Sequence, residues 1–367
     1  MRPDFSRDVR CVLGLPFDAV TEQQAEQILR HAIKERVRCF LSTPNLNFAI
    51  SCRDDAAFRQ SVLHSDLSVA DGWPIVAIAR MIGAGIPERV TGSGLFERIA
   101  ASELRPPVAV YFFGGPDGAA EAASKRLNTQ SAGAVCVGFE APGFGSVADM
   151  STPSQLAKLN DAAADLVVVA LGAKKGQAWI QHNLSRITAP VISHLGAVVN
   201  FAAGTVERAP RWVQRCRLEW LWRIKEEPAL WRRYAGDGIA FARLFATQVV
   251  PCAIDQWFAR RERQGAREAR ASIARNGQVL TLSMTGSWTV GNIATLRPLL
   301  EQACEANVAV VIELGRASRL DTAVIGSLLL LYGWQVNAGL GWRVPAPSLS
   351  AVRSLRLAGA HYLLTAV

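Results

Sequence analysis

The chain has 367 residues, half of them hydrophobic, and its 40 basic and 31 acidic side chains give a formal charge of +9. This length predicts two or three domains. The charge is uneven, because residues 1–204 carry 19 basic and 19 acidic side chains, residues 205–275 carry 15 and 8, and residues 276–367 carry 6 and 4. The basic middle predicts an anionic partner or surface.

The cysteines and the apolar runs argue against several classes of protein. The seven cysteines are scattered and form no CxxC pair, which disfavours a disulfide framework and a zinc site. The start, MRPDFSRDVR, has no apolar region typical of a signal peptide. The longest apolar run, 238–254, is interrupted by Arg243, so we expect a cytoplasmic protein without a spanning helix.

The first 200 residues alternate short apolar runs with helical patterns, the first of which opens with Thr21 and Gln24 in a capping-box pattern. Apolar strands that alternate with helices are typical of a mostly parallel α/β sheet covered on both faces. The candidate strands are 9–13, 39–42, 67–70, 108–114, 134–139, 166–171 and 191–194.

Polar residues and glycines follow three of these strands, where open α/β sheets bind ligands. A carboxylate at a strand tip can act as a general base, and glycines before a helix let backbone amides approach a phosphate. Helix or turn capping by the acid, and a tight turn at the glycines, stay open as alternatives. The residues are Thr43 and Asn45 in STPNLN, Asp71 in ADGWP, and Gly114 and Gly115 in FFGGPDG.

Histidine and metal chemistry find little support in the sequence. His194 ends the last strand and is interpreted as a satisfied structural residue, because the five histidines show no metal-ligand spacing. No DxD pair occurs, so we expect no metal and no other cofactor. A dinucleotide oxidoreductase is disfavoured, because GLPFDAV and not GxGxxG follows the first strand.

Beyond residue 204 the pattern becomes helical, with helices expected at 211–225 and 228–246. The segment 205–234 holds four of the ten tryptophans and eight of the 40 basic residues. Tryptophan favours the water–lipid boundary and arginine pairs with phosphate, so this segment suits a membrane surface that carries a diphosphate-linked lipid. A tryptophan core with solvated arginines stays open, as does a nucleic-acid surface, which no accompanying motif supports.

The motifs TPNLN, ADGWPIV, ERVTGS, FFGGPDG, GTVERAPRW and LEWLWRIKEEPALWRRY resemble, in this order, those of the bacterial WecG/TagA/CpsF glycosyltransferases. The resemblance implies a Rossmann-like catalytic domain over 1–204 and a helical appendage over 205–255. It also implies an inverting transfer of a hexose-type sugar from a UDP-sugar to a polyprenyl-diphosphate-linked saccharide. The protein would be peripherally associated with the inner face of the cell membrane, and a homo-oligomer stays open.

The resemblance carries site residues over by position. Asp71 matches the general base, and Thr43 and Asn45 match the acceptor side. The appendage residues expected to hold the lipid diphosphate are Arg208, Arg211, Arg215 and Arg223. The residues expected on the donor side are Arg89, Thr91 and Gly92 of the ERVTG turn, Gly114, Gly115, and Gln177.

One motif departs from the family. Where G-x-P-x-Q-E-x-W is usual, the chain has GAKKGQAW (172–179), so Lys174, Gly176 and Gln177 replace the proline, glutamine and glutamate. Asn200 stands where an aspartate is common. These departures favour an alternative function, a catalytically degenerate protein that binds sugar nucleotide or lipid and serves as a regulatory or scaffold module.

A linker is expected over 256–276 and a small α/β domain over 277–367, with helices near 292–305 and 322–338. The stretch VAVVIELGRASRLDTAVIGSLLLLYGWQVNAG resembles STAS domains, with Asp321 and Thr322 at the start of a helix. Ala323 stands where regulated members carry a phosphorylated serine. The resemblance implies a docking module that recruits a protein partner.

Overall fold

The computed structural model describes residues 2–102, 105–204, 210, 213, 219–226, 230–261 and 268–366. Within these ranges the chain forms a six-stranded sheet, a four-stranded sheet and a two-stranded hairpin. Helices cover both larger sheets, and the hairpin contacts elements of each. The chain is therefore a mixed α/β protein, as the sequence predicted.

The hairpin pairs β1 (Val9–Val12) with β2 (Leu15–Asp18) in an antiparallel register. Its reversal places Leu13 and Gly14 at φ values of +52° and +81°. Positive φ at both central residues is the turn whose twist matches that of the flanking strands. The strand expected at 9–13 therefore pairs in a hairpin and lies outside the parallel sheet.

The six-stranded sheet is parallel throughout, in the order β4-β3-β8-β7-β5-β6. Each strand begins at the residue that the sequence predicted, because short apolar runs bounded by turn residues marked the strand starts. The strands are β3 (Cys39–Ser42), β4 (Leu67–Ser68), β5 (Val108–Gly114), β6 (Ala134–Glu140), β7 (Leu166–Ala170) and β8 (Val191–His194).

Nine helices occur among the described residues between 19 and 204, and their apolar residues pack on both faces of this sheet. The predicted capping box is present, because Thr21 Oγ1 accepts from the Gln24 N–H (3.2 Å) and Gln24 Oε1 accepts from the Thr21 N–H (2.8 Å). The helices are α1 (Glu22–Lys34), α2 (Leu46–Asp54), α3 (Ala56–Leu63), α4 (Trp73–Met81), α5 (Gly92–Ala100), α6 (Ala119–Gln130), α7 (Pro153–Asp161), α8 (Ala173–Asn183) and α9 (Gly196–Ala203).

The appendage is helical where it is described. It contains α10 (Glu219–Glu226), α11 (Leu230–Leu244) and α12 (Val250–Arg261), and a π-helical turn at Phe245–Val249 joins the last two. The helix expected at 228–246 corresponds to α11. The second half of the helix expected at 211–225 corresponds to α10. Most of the first half of that expected helix lies outside the described residues.

The C-terminal sheet has the order β12-β11-β10-β9, with β9 antiparallel to β10 and the other pairs parallel. Both expected helices are present. Part of α12 and all of β9 fall within the expected linker, and the domain boundaries stay a prediction. The elements are β9 (Arg270–Asn276), β10 (Val279–Trp288), α13 (Arg297–Ala306), β11 (Ala309–Leu320), α14 (Thr322–Asn337), β12 (Trp342–Arg343) and α15 (Leu349–Leu357).

The C-terminal sheet and the hairpin share one hydrophobic core, which includes Phe5, Val9, Cys11 and Leu63 beside the residues of α14. Polar contacts reinforce this packing: Gln60 Nε2 donates to the Gly333 carbonyl (2.6 Å) and the Tyr362 hydroxyl donates to the Gly14 carbonyl (2.6 Å). The C-terminal sheet and its helices are thus packed against the N-terminal part of the chain.

The start of α14 lies within this packed region. Asp321 caps the helix as predicted, because its Oδ1 accepts from the Ala323 and Val324 N–H groups (2.9 and 3.0 Å). Thr322 and Ala323 are buried. The first turn of this helix is therefore covered in this conformation.

Candidate active site

The strands of the parallel sheet all end at one edge, here called the carboxyl edge. In sheet order, Asp71 follows β4, Thr43 follows β3, His194 ends β8, Gly172 follows β7, and Gly114 ends β5. At about 4.8 Å between neighbouring strands, the β4 and β5 ends are roughly 19 Å apart across the sheet. The edge is therefore long enough for an extended ligand.

Asp71 is held by two neighbouring segments. Its N–H donates to the Pro44 carbonyl (3.1 Å), and the Val90 N–H donates to the Ala70 carbonyl (3.0 Å). Gly72, at φ +117°, is the N-cap residue of α4, so Asp71 precedes the cap. Asp71 is partly exposed at the edge.

The predicted acceptor-side residues of the β3 loop lie close to Asp71. A Cβ atom on Gly72 would come within 3.9 Å of the Asn45 Cβ. Asn45 Oδ1 accepts from the Phe48 N–H (3.1 Å) and so caps α2. Thr43 is buried beside Gly92. The structure thus brings Asp71, Thr43 and Asn45 together.

Arg89, Thr91 and Gly92, which were predicted to lie on the donor side, are found in this same region and not beside the glycines of β5. Thr91 caps α5, because its Oγ1 accepts from the Gly94 N–H (3.0 Å). Gly92 has no room for a side chain beside Leu195. The guanidinium carbon of Arg89 lies 5.9 Å from the centre of the Trp73 ring. Their donor contact stays a prediction.

The carboxyl ends of β5 and β7 carry Gly114, Gly115 and Gly172, and we call the part of the edge between these two strand ends the glycine crevice. The chain leaves β5 toward β6 and leaves β7 in the opposite direction toward β8, which makes this point the topological switch of the sheet. Gly114 and Gly115 have φ values of +92° and +99°, and the Gly115 N–H donates to the Ala170 carbonyl (2.8 Å). Helices α6 and α8 begin beside it, so their N-termini favour an anionic ligand there.

Gln177 lies beneath the carboxyl edge. Its side chain is 1% exposed and its Nε2 lies 3.1 Å from Ser42 Oγ, which joins α8 to β3. The two lysines of the departing motif also have partners, since Lys174 pairs with Asp55 (3.1 Å) and Lys175 donates to the Gly145 carbonyl (2.9 Å). These side chains serve internal contacts, and the predicted donor contact of Gln177 stays untested.

His194 differs from the satisfied structural residue that the sequence suggested. Its Nε2 has no exposed surface and no hydrogen-bond partner among the described residues, although the residue as a whole is partly exposed. Burial lowers the pKa of His194 to about 4, so the imidazole is neutral near pH 7. The ring lies against Gly176 and Gly196. Sequence reasoning missed this environment because Gly176 belongs to a different element.

For the appendage arginines that were predicted to hold the lipid diphosphate, the structure describes no side-chain positions. Arg208, Arg211 and Arg215 lie outside the described residues. Arg223 lies on α10, without a described side chain. Their placement at the carboxyl edge therefore stays a prediction.

The helical segment that follows has one buried and one exposed face. Gln248 and Cys252 are buried, and Gln248 joins both domains, because Arg53 Nη1 donates to its Oε1 (2.7 Å) and its Nε2 donates to the Arg356 carbonyl (3.0 Å). The opposite face presents an apolar ledge, defined here as Ile239, Ile254, Trp257 and Phe258, which are 76%, 50%, 49% and 53% exposed.

The described residues include one helix, Gly238–Phe258, that is long and apolar enough to cross a membrane by length and composition, with a mean hydropathy of 1.2. It contains Arg243 and Asp255, and Asp255 pairs with Arg353 of the C-terminal domain (2.7 Å). These contacts hold one face of the helix against the protein.

A separate groove of about 460 Å³ lies between α5, α6 and α9. It is mainly apolar, with Phe96, Leu127 and Phe201 among its lining residues. None of the predicted site residues lines it. Within the described ranges, no cluster of three or more His, Cys, Asp or Glu side chains could hold a metal ion.

The sequence of this chain is similar to a known protein family and to two named proteins. Residues 10–252 match the model of the glycosyl transferase WecG/TagA/CpsF family. The chain is 24% identical over 206 residues to the N-acetylglucosaminyldiphosphoundecaprenol N-acetyl-beta-D-mannosaminyltransferase of Bacillus subtilis (strain 168), a match that covers 56% of this chain and 78% of that protein. It is 25% identical over 194 residues to the protein of the same name from Bacillus spizizenii, covering 53% and 74% of the two chains.

Proposed function

This chain belongs to the WecG/TagA/CpsF family of glycosyltransferases, and from that premise we propose that it transfers a hexose-type sugar from a UDP-sugar to a polyprenyl-diphosphate-linked saccharide. Such a reaction serves the assembly of surface or exported polysaccharide. Both relatives carry names that specify an N-acetylglucosaminyl-diphosphoundecaprenol acceptor. An acceptor of this class suits the basic segment 205–275, whose 15 basic and 8 acidic side chains favour an anionic lipid.

The observation that carries the proposal is the position of Asp71. It stands at the tip of β4, beside the Thr43 and Asn45 loop, in a chain whose family is established. The Asp71 carboxylate accepts the proton of the acceptor hydroxyl while that oxygen bonds to the anomeric carbon of the donor. The bond to UDP breaks on the opposite face, so the configuration inverts. General-base assistance of this kind is worth about 10²–10⁴-fold.

The glycine crevice suits the diphosphate of the donor. Backbone N–H groups and the N-termini of α6 and α8 supply positive dipole ends there without a metal ion. A donor that extends along the edge from the crevice directs its sugar toward β4 and Asp71. The departing UDP is then stabilised at the switch point while the acceptor approaches from the Thr43 side.

The apolar ledge supports peripheral attachment to the cytoplasmic face of the membrane. An interfacial helix buries its apolar face in the headgroup region and keeps its polar face on the protein. Gly238–Phe258 fits this arrangement better than a span, since Gln248, Cys252 and Asp255 contact protein along one face. The ledge residues then face lipid, as the lipid-linked acceptor requires.

The second candidate function is a degenerate transferase that binds its ligands and acts as a scaffold. The internal contacts of Lys174 and Gln177 favour it, because these side chains replace family residues and are already engaged. A protein that binds UDP-sugar but releases no UDP is the expected behaviour for this alternative.

The test is UDP release by the full-length protein. We expect UDP release from one of a panel of UDP-sugars only when a synthetic polyprenyl-diphosphate N-acetylglucosamine is present. Product analysis then gives the anomeric configuration of the new bond. Donor binding by calorimetry without UDP release for any sugar would support the degenerate alternative. Absence of both binding and release would overturn the proposed function.

A further inference from the structure

The imidazole of His194 fills a space that two glycines leave open. A Cβ atom on Gly176 would clash with His194 Cδ2, and a Cβ atom on Gly196 would come within 3.3 Å of Nε2. Gly176 lies inside α8, where glycine is less favourable to the helix than alanine. It shows no positive φ that would require glycine. Room for the His194 ring is the reason that the structure offers for this residue.

The ring occupies the middle of the carboxyl edge. His194 ends β8, which lies between β3 with its Thr43 loop and β7 with Gly172 of the glycine crevice. The two glycines cover the Cδ2–Nε2 side of the ring. The residue is partly exposed, and Nδ1 is the ring nitrogen that lies away from the Cβ positions of both glycines.

The buried nitrogen also argues against a purely structural role. Nε2 has no hydrogen-bond partner among the described residues, and a buried polar atom without a partner destabilises the fold. A phenylalanine or leucine would fill the same space without that cost. An unsatisfied buried group of this kind calls for an explanation, and a functional role is one of those that apply.

We propose that His194 is a donor-specificity residue whose Nδ1 hydrogen-bonds to an uncharged polar group, a hydroxyl or an amide, of the transferred sugar. The position between Asp71 and the glycine crevice places the ring beside the sugar and not beside the diphosphate. The ring takes the volume that a side chain at position 176 would need, so Gly176 and His194 act as a matched pair. This inference rests on the proposed function, because it takes the carboxyl edge as the donor site.

The test compares binding of UDP-sugar with binding of UDP alone in the full-length protein. His194→Phe keeps the ring packing against Gly176 and removes both nitrogens. We expect its KM and Kd for the UDP-sugar to rise roughly 5- to 10-fold, the effect of one lost hydrogen bond, with Kd for UDP unchanged. His194→Gln retains a polar group and should recover part of the affinity.

Two further comparisons test the proposal: a control variant at another histidine, and variants of the Gly176 and His194 pair. His64 is also partly buried, has an unpartnered Nδ1 and a pKa lowered to about 4, but precedes β4 and so lies toward the opposite edge. His64→Gln should leave both Kd values unchanged. Gly176→Gln alone should weaken UDP-sugar binding, because the new side chain clashes with the His194 ring. The double variant, Gly176→Gln with His194→Gly, should relieve that clash.

The outcomes separate the two proposals. Unchanged UDP-sugar affinity in correctly folded His194→Phe overturns this inference alone. Equal loss of affinity for UDP and UDP-sugar also overturns it, since the ring would then serve the diphosphate. Absence of UDP-sugar binding in the unaltered protein overturns the proposed function and this inference with it.

Discussion

At the scale of single residues, Asp71 matters because its neighbours hold it at an accessible strand tip. The backbone bonds of Asp71 and Ala70 fix this tip between the β3 loop and Val90. The position of the carboxylate therefore depends on backbone contacts that a side-chain substitution leaves intact.

Asp71→Asn should lower kcat by about 10²–10⁴-fold, because the amide cannot accept the proton of the acceptor hydroxyl. Donor Kd should stay within a factor of two or three. UDP release and calorimetry measure the two quantities. Asp161→Asn, at an exposed aspartate that ends α7, is the control. Near-normal turnover in Asp71→Asn would remove Asp71 from the role of base.

The sequence predicted part of this site and missed the rest for a physical reason. Asp71, Thr43 and Asn45 follow their strands directly, and parallel strands end at one edge, so their proximity could be inferred. The burial of Gln177 against Ser42 and the packing of Gly176 against His194 join different elements. Such contacts depend on helix rotation and side-chain direction, which strand order alone does not specify.

At the scale of elements, α14 illustrates how close two backbones come in the shared core. A Cβ atom on Gly326 would lie 2.8 Å from the Val9 carbonyl oxygen, and one on Gly333 would lie 2.9 Å from the Leu63 Cβ. Both neighbours belong to the N-terminal part of the chain. The two glycines therefore let α14 approach β1 and α3.

Gly326→Ala should lower the free energy of unfolding by about 1–3 kcal/mol, because a methyl group forces the helix away from β1. Urea denaturation measures the change. Gly236→Ala in α11 is the matched control, since nothing lies within 4 Å of its Cβ position. There the better helix propensity of alanine should raise stability by up to about 1 kcal/mol. Equal effects at both sites would contradict the close packing of α14.

The apolar ledge yields a prediction about membrane binding. Replacing Trp257 and Phe258 together by serine should weaken binding to anionic lipid vesicles roughly tenfold or more, because two aromatic side chains no longer enter the interface. Vesicle co-sedimentation measures the affinity. Phe144→Ser is the control, since Phe144 is fully exposed in the loop after β6. A similar loss in the control would show that exposed aromatics bind lipid without regard to position.

The sequence predicted the elements that local residue types mark, and it failed for β1, whose place in the fold depends on the strand with which it pairs. Parallel strand starts, the α1 capping box and the α14 cap were all marked by local residue types. The partner of β1 was not, because a short, mostly apolar strand such as VRCV fits a hairpin as well as a parallel sheet. The positive φ of Leu13, which a hairpin turn imposes, has no sequence signal of its own.

At the scale of the whole molecule, two partly buried histidines couple stability to pH. The pKa of His64 falls to about 4 through burial and nearby positive charge, and burial lowers the pKa of His194 to about 4. The unfolded chain binds these protons near pH 6.5, so it holds more protons than the fold between pH 6.5 and 4. The free energy of unfolding should therefore fall as the pH falls through this window.

Chemical denaturation at a series of pH values measures that slope. His64→Phe combined with His194→Phe should flatten it, because neither ring then takes up a proton on unfolding. Buried Asp66 and Asp321, whose pKa values burial raises, act in the opposite direction from about pH 3.8 upward and remain in both proteins. An unchanged slope in the double variant would contradict neutral histidines in the fold.

The sequence predicted two α/β units but not their common core. The contacts that join them are far apart along the chain, as between Cys11 Sγ and the Ala358 carbonyl, which are 347 residues apart. The apolar residues of β1 were compatible with an ordinary sheet strand. Only the three-dimensional arrangement distinguishes a strand that packs within its own domain from one that also packs against a second domain.

The shared core has a consequence for how the protein is made. The hairpin leaves the ribosome early, while its covering helix α14 begins at Thr322. At about 5–20 residues per second, the apolar face of β1 waits roughly 15–60 s for that cover. Its completion is thus a late event, and a nascent chain that stalls before α14 presents Val9 and Cys11 to solvent and to chaperones.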